Sequence, residues 1–172
     1  MTPTIGARGR VMARSGNPLV YDFLEVATSL AEQTGRRNLQ KAAMRRAVST
    51  ACYAVFHELC FICARALGVW TRDTMLMEPI YRLLDHGQVR KRLAGREATE
   101  LGSVVVESGV SFAELQERRH QADYSPPSLE VRRDVTRSTV VRAKQAVADL
   151  ESLNDDQRRR LAVLLITKTR LA

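Results

Sequence analysis

Apolar residues recur at helical spacing from Met44 to Cys63. Val48, Ala51, Cys52, Val55, Leu59, Ile62 and Cys63 fall on one narrow face, the i, i+3, i+4, i+7 pattern of a helix packed on a core. Arg46, Thr50, Tyr53 and His57 fall together on the opposite face, with Arg45 and Ser49 beside them. No Gly or Pro interrupts the segment, so nothing breaks the helix. The pattern predicts a central helix that starts at an Asn38 N-cap and runs to about Leu67, where Gly68 stops it.

Weaker patterns flank it. Leu24, Ala27, Leu30 and Ala31 mark a first helix, roughly Tyr21 to Gln33, closed by Gly35. Leu76, Ile80, Leu83 and Leu84 mark a third, starting at Asp73 or Thr74 and ending near His86-Gly87. The charged segment from Gln88 to Thr99 reads as a loop or a short exposed helix. Val104-Val105-Val106 prefers a strand, yet Leu101, Val105, Phe112 and Leu115 fit a helix. No second strand signal exists, so a fourth helix is expected, continuing to Tyr124 before Ser125-Pro126-Pro127 stops it. Ser128 is expected to cap a fifth helix with Val131, Val135, Val140, Ala143 and Val147 inward. A last helix is expected from Gln157 to about Leu171. The fold class that follows is all-α, an antiparallel bundle of five or six helices over residues 19–172. Residues 1–18, rich in Gly, Arg, Pro and Ser, read as a flexible basic arm.

Charge narrows the partners. The 172-residue chain carries 27 Lys and Arg against 19 Asp and Glu, a net +8, and its pI is near 10.0. Such an excess favours anionic partners, nucleic acid first. No aromatic residues interleave with the basic clusters, which argues against a base-stacking platform. Cys52, Cys60 and Cys63 all lie on the central helix and read as reduced core thiols of a cytoplasmic protein. Cys60 and Cys63 form a Cys-x-x-Cys, but a structural zinc site needs a second ligand pair, and the sequence has none. Neither a metal nor another cofactor is expected. No stretch of about 18 apolar residues predicts a membrane span, and no apolar segment follows the basic N-terminus as in a signal peptide.

The candidate chemistry lies on the fourth helix. Phe112, Leu115, Arg119 and Ala122 share one stripe, so Arg119 stands where an apolar residue is expected. A guanidinium facing a core needs a carboxylate or several acceptors, and Asp123 follows one turn later. Two readings stay open. In one, Arg119, Asp123 and Tyr124 form a buried polar clasp with Ser49 and Tyr53. In the other they line an anion pocket with His120 or His57 as acid or base. His86, beside Gly87 at a helix end, reads as a C-terminal dipole partner and not as a catalyst.

Residues Arg45 to His57, Arg-Arg-Ala-Val-Ser-Thr-Ala-Cys-Tyr-Ala-Val-Phe-His, resemble the central-helix signature of the HEPN superfamily of small prokaryotic helical proteins. Leu115 to Pro126, with its Arg118-Arg119-His120-Gln121-Ala122-Asp123-Tyr124 core, resembles the second signature of one HEPN-like branch. The resemblance covers roughly residues 20 to 170. It implies an antiparallel helical bundle, a homodimer, and an RNA- or nucleotide-linked role, with metal-independent endoribonucleases and toxins paired with a nucleotidyltransferase antitoxin among its members. The family's catalytic motif is an Arg and a His with four to six residues between them. Here Asp123 and Tyr124 occupy such positions, and His120 follows the arginines directly. The expectation is therefore a toxin–antitoxin or defence protein with a degenerate motif that binds RNA, a nucleotide or a partner. Arg46, Ser49, Tyr53, Arg118, Asp123 and Tyr124 are its binding or clasp residues. An altered-site ribonuclease using Arg119, His120 and His57 is the alternative, and a pure interaction module the third.

Overall fold

The computed structural model describes residues 16–70 and 74–167, with the side chains of 74–76 excepted. The expected basic arm falls almost wholly outside these residues. Among them the chain is all-helical, with eight helices where five or six are expected: α1 (Pro18–Ala31), α2 (Arg37–Ala66), α3 (Thr74–Leu83), α4 (His86–Leu93), α5 (Arg96–Thr99), α6 (Ser103–Tyr124), α7 (Arg133–Ser152) and α8 (Asp155–Ile166).

The first helix starts three residues earlier than its apolar pattern suggests, because Pro18 stands at its first position and Asn17 caps the Leu19 N–H. The central helix starts at Arg37, and Asn38 lies inside it. Two further helices account for most of the higher count. Val89, Leu93 and Ala98 are buried, so the charged segment 88–99 folds into α4 and α5. The fifth expected helix begins later, at Arg133. Ser128 stays in the preceding loop, and Val135 is exposed while Thr136 and Thr139 are buried. Thr136 and Thr139 satisfy their hydroxyls on the carbonyls of Arg132 and Val135, so two β-branched polar residues fill sites that sequence reading gives to valines. The last helix starts at Asp155 behind an Asn154–Gln157 capping box and ends at Ile166.

From 43 to 64, α2 is buried everywhere except at Arg45, Arg46, Thr50, Tyr53 and His57, the stripe that the spacing sets opposite its apolar face, because α1, α6, α7 and α8 all pack on it. By length and composition it is apolar enough to cross a membrane, contrary to the reading from sequence, and 83% of its most apolar window is buried by the other helices. Polar bonds give the relative directions. Arg133 at the start of α7 donates to the carbonyls of Ala31 and Gln33 at the end of α1, and Tyr21 near the start of α1 reaches Glu151 near the end of α7. Arg45 near the start of α2 reaches the end of α6. Thus α1 and α6 run against α2 and α7. The core includes Phe112, Leu59, Leu115, Leu150 and Leu161, each fully buried. Cys52, Cys60 and Cys63 are buried free thiols in it, and burial pushes Cys52 and Cys63 up to about 12.

A candidate anion-binding cleft

The end of α6 is tied to α2 by charge. Asp123 accepts a hydrogen bond from Ser49 Oγ, lies 3.4 Å from Arg119 Nε and 3.9 Å from Arg46 Nη1. The Arg119 guanidinium sits 5.1 Å from the centre of the Tyr53 ring, within cation–π range. Arg45 donates to the carbonyls of Ala122 (3.2 Å), Ser125 (2.8 Å) and Pro126 (2.7 Å). A helix end leaves carbonyls without intrahelical partners, and one guanidinium here satisfies a helix-end carbonyl and two in the following turn. This explains why α6 stops cleanly at a Ser-Pro-Pro sequence that offers no glycine cap.

The structure brings Arg46, Ser49, Tyr53, Arg119 and Asp123 together. It removes Tyr124 from the expected buried clasp: this residue is 70% exposed and leans on His120, the ring centres 4.9 Å apart. The physical reason is helical rotation, since Tyr124 is one step past Asp123 and turns about 100° away from α2. Arg118 also faces elsewhere. It bonds Glu114 and the Thr139 hydroxyl on α7, and Arg142 reaches the same Glu114 at 3.1 Å.

Arg119 and His120 line an open cleft of about 500 Å³ between α4 and α6. The other walls are His86, Gly87, Arg90, Gln116 and Glu117. His57 is not among them. It packs against Phe23, Phe56 and Tyr81, and burial pushes its pKa down.

His86 enters the cleft for a reason not visible in its neighbours Leu84 and Gly87. It does not close a helix. Asp85 accepts from the Gly87 and Gln88 N–H groups and thereby makes His86 the first residue of α4. A cation is disfavoured at that end of a helix, so the C-terminal dipole role is overturned. The ring stacks on Phe56 at 3.8 Å and meets Tyr53 edge-on. Burial first, and then the charge of Arg119, lower its pKa to about 4, so it is neutral at pH 7. Its Nδ1 is buried without a hydrogen-bond partner among the described residues. An unpartnered buried N–H costs more than an unpartnered ring nitrogen lone pair. The favoured tautomer therefore keeps its proton on Nε2, which makes His86 a neutral donor. Asp followed two residues later by Gly, after a leucine run, was the available signal for a new helix start.

The cleft thus offers two guanidiniums, a neutral imidazole donor, a second imidazole and an amide, opposed by one carboxylate, Glu117. Arg90 has no ion-pair partner among the described residues. Such a set suits a phosphate or another oxyanion. Among the described residues, no three His, Cys, Asp or Glu side chains are grouped to hold a metal ion. No protein-family model, curated protein or solved structure matches the chain.

Proposed function

We propose that the protein is a HEPN-like helical protein that binds RNA or a nucleotide through the cleft between α4 and α6, working without the family's catalytic spacing. The observation that carries this reading is the convergence of Arg90, Arg119, His86 and His120 on one open cleft. Asp123 occupies a position the motif gives to His. It is paired to two arginines and accepts from Ser49, so it is a structural anchor for Arg119. In this reading the protein acts as a homodimer in a toxin–antitoxin or defence setting, with a nucleotidyltransferase-type antitoxin as a candidate partner. The test is fluorescence anisotropy with labelled single-stranded RNA. Binding is expected to weaken with salt and to fall several-fold in Arg90→Gln, an exposed residue whose loss leaves the fold alone. Salt-insensitive or absent binding would leave only the interaction-module reading.

A metal-independent ribonuclease is the second reading, favoured by the presence of two imidazoles in the cleft that holds Arg119. His120 would exchange the proton of a ribose 2′-hydroxyl, while Arg119 and the His86 N–H would meet the phosphoryl oxygens. It requires RNA cleavage in EDTA that disappears in His120→Ala and survives in His57→Ala.

A further inference from the structure

Tyr124 is the most exposed large apolar side chain among the described residues, and it stands on a rigid base. Arg45 holds the carbonyls of Ala122, Ser125 and Pro126, on both sides of Tyr124 in the chain. Asp123, its immediate neighbour, is held by Ser49, Arg46 and Arg119. Residues at helix ends ordinarily fray. Here a network of polar bonds fixes the backbone beneath a side chain that stays 70% exposed. The ring leans on His120, tilted by 44°, and His120 is itself a wall of the basic cleft.

From this arrangement we infer that Tyr124 and His120 form a stacking subsite for a nucleobase, set beside the cleft so that the phosphate of the same or an adjoining nucleotide reaches Arg119 and Arg90. This rests on the cleft binding phosphate, and it adds the ligand class: a single-stranded nucleic acid with accessible bases, in preference to a duplex or a simple anion. The two rings lie four residues apart on α6, about 6 Å along the axis, and present aromatic surface next to a guanidinium. Single-strand binders combine these two elements, a cationic track and aromatic faces on which any base can stack. The ring pair itself is local to α6, and the fold adds Arg90 from α4 on the other side of the cleft. Pre-fixing Tyr124 lowers the ordering cost that a base would otherwise meet on binding.

The experiment compares a single-stranded oligoribonucleotide of mixed sequence with an abasic strand of equal length, by anisotropy, on the full-length chain. Wild type is expected to favour the base-bearing strand by about fivefold to about a hundredfold, the range of one aromatic–base stack. Tyr124→Ala should erase most of that preference and leave abasic-strand binding unchanged. Tyr124→Phe should retain it. Because Tyr124 is exposed, neither variant threatens the fold. Equal affinity of wild type for the two strands would overturn the subsite while leaving phosphate binding intact. So would a preference that survives in Tyr124→Ala. Salt-sensitive binding to neither strand would overturn the phosphate reading itself, and the subsite with it. Sedimentation of each variant is run alongside. A change of oligomeric state in Tyr124→Ala with the base preference kept would assign the exposed ring to a contact between copies and overturn the inference.

Discussion

Asp123 is the acceptor on which one hydroxyl and two guanidiniums converge, and its side chain is only 20% exposed. Removing it leaves the Ser49 hydroxyl and the Arg119 guanidinium without this acceptor in a largely buried place, while Arg46, 66% exposed, returns to water. Asp123→Ala is therefore expected to lower stability by about 2–4 kcal/mol in urea unfolding, and Asp123→Asn by less, since an amide oxygen still accepts from Ser49. The half-buried His86 and the buried Glu58 set opposite pH slopes. His86 is held down to about 4 from 6.5, by burial first and Arg119 second. Its contribution is present above pH 6.5 and is lost as pH falls toward 4, because the unfolded chain takes up the proton first. Glu58, 2% exposed, is pushed up to about 7 from 4.5, by burial first and then by the Glu151 carboxylate. Its contribution is present below pH 4.5 and is lost as pH rises through 7. The two oppose each other between 4.5 and 6.5. In that window, Glu58→Gln should make stability fall more steeply on acidification, and His86→Gln should make it rise. Urea midpoints measured across the window check both signs.

The cleft exists because α4 approaches α6 closely at one point. A Cβ on Gly109 would stand 2.9 Å from Leu93 Cβ and 3.0 Å from the Leu93 carbonyl oxygen. The second contact is backbone and cannot swing aside. Gly109→Ala gains about 1 kcal/mol of helix propensity but must push the end of α4 outward, an overpacking cost of about 1–3 kcal/mol. The expected net is a lower melting temperature together with weaker RNA binding, because Arg90 rides on the displaced helix. A stabilised variant with unchanged binding would show that α4 is free to shift. This contact also marks where sequence reading runs out. The strong periodicity of α2 and the Phe112–Leu115–Ala122 stripe of α6 made both helices legible, as did the pairing of Arg119 with Asp123 one turn apart. α4 was legible only as one of two readings, loop or short exposed helix, because only Val89 and Leu93 anchor it, among charged residues, and its start depends on an Asp85 cap that looks like the tail of α3. With the start and the buried face of α4 hidden, His86 and Arg90 could not be placed opposite Arg119. Tyr124 was misplaced for a simpler reason: spacing along one helix gives its direction, but not which direction a second helix leaves open.

Net charge alone does not place the anion site, because much of the basic surface is already neutralised. Arg137 pairs with Glu32, Arg37 with Glu130, Arg132 with Asp134, and Arg118 and Arg142 share Glu114. Arg133 is spent on the carbonyls that join α7 to α1. The surplus of 27 basic over 19 acidic side chains therefore acts locally, and the salt dependence of binding can say where. A single strand releases about 0.7 counterion per neutralised phosphate. If Arg90 and Arg119 carry the contact, the slope of log affinity against log salt is about −1.4, far shallower than a surface-wide attraction would give. Arg90→Gln should then reduce its magnitude by about 0.7. Arg159→Gln, an exposed change in a separate basic pocket with Arg65 and Arg158, should leave it unchanged. Titration of labelled single-stranded RNA over a range of salt measures all three slopes. Equal losses in the two variants would spread the binding over the whole molecule and remove the cleft from its centre. A loss confined to Arg90→Gln ties the affinity to the cleft where α4 and α6 set a guanidinium without an ion-pair partner among the described residues, two imidazoles and an exposed tyrosine side by side.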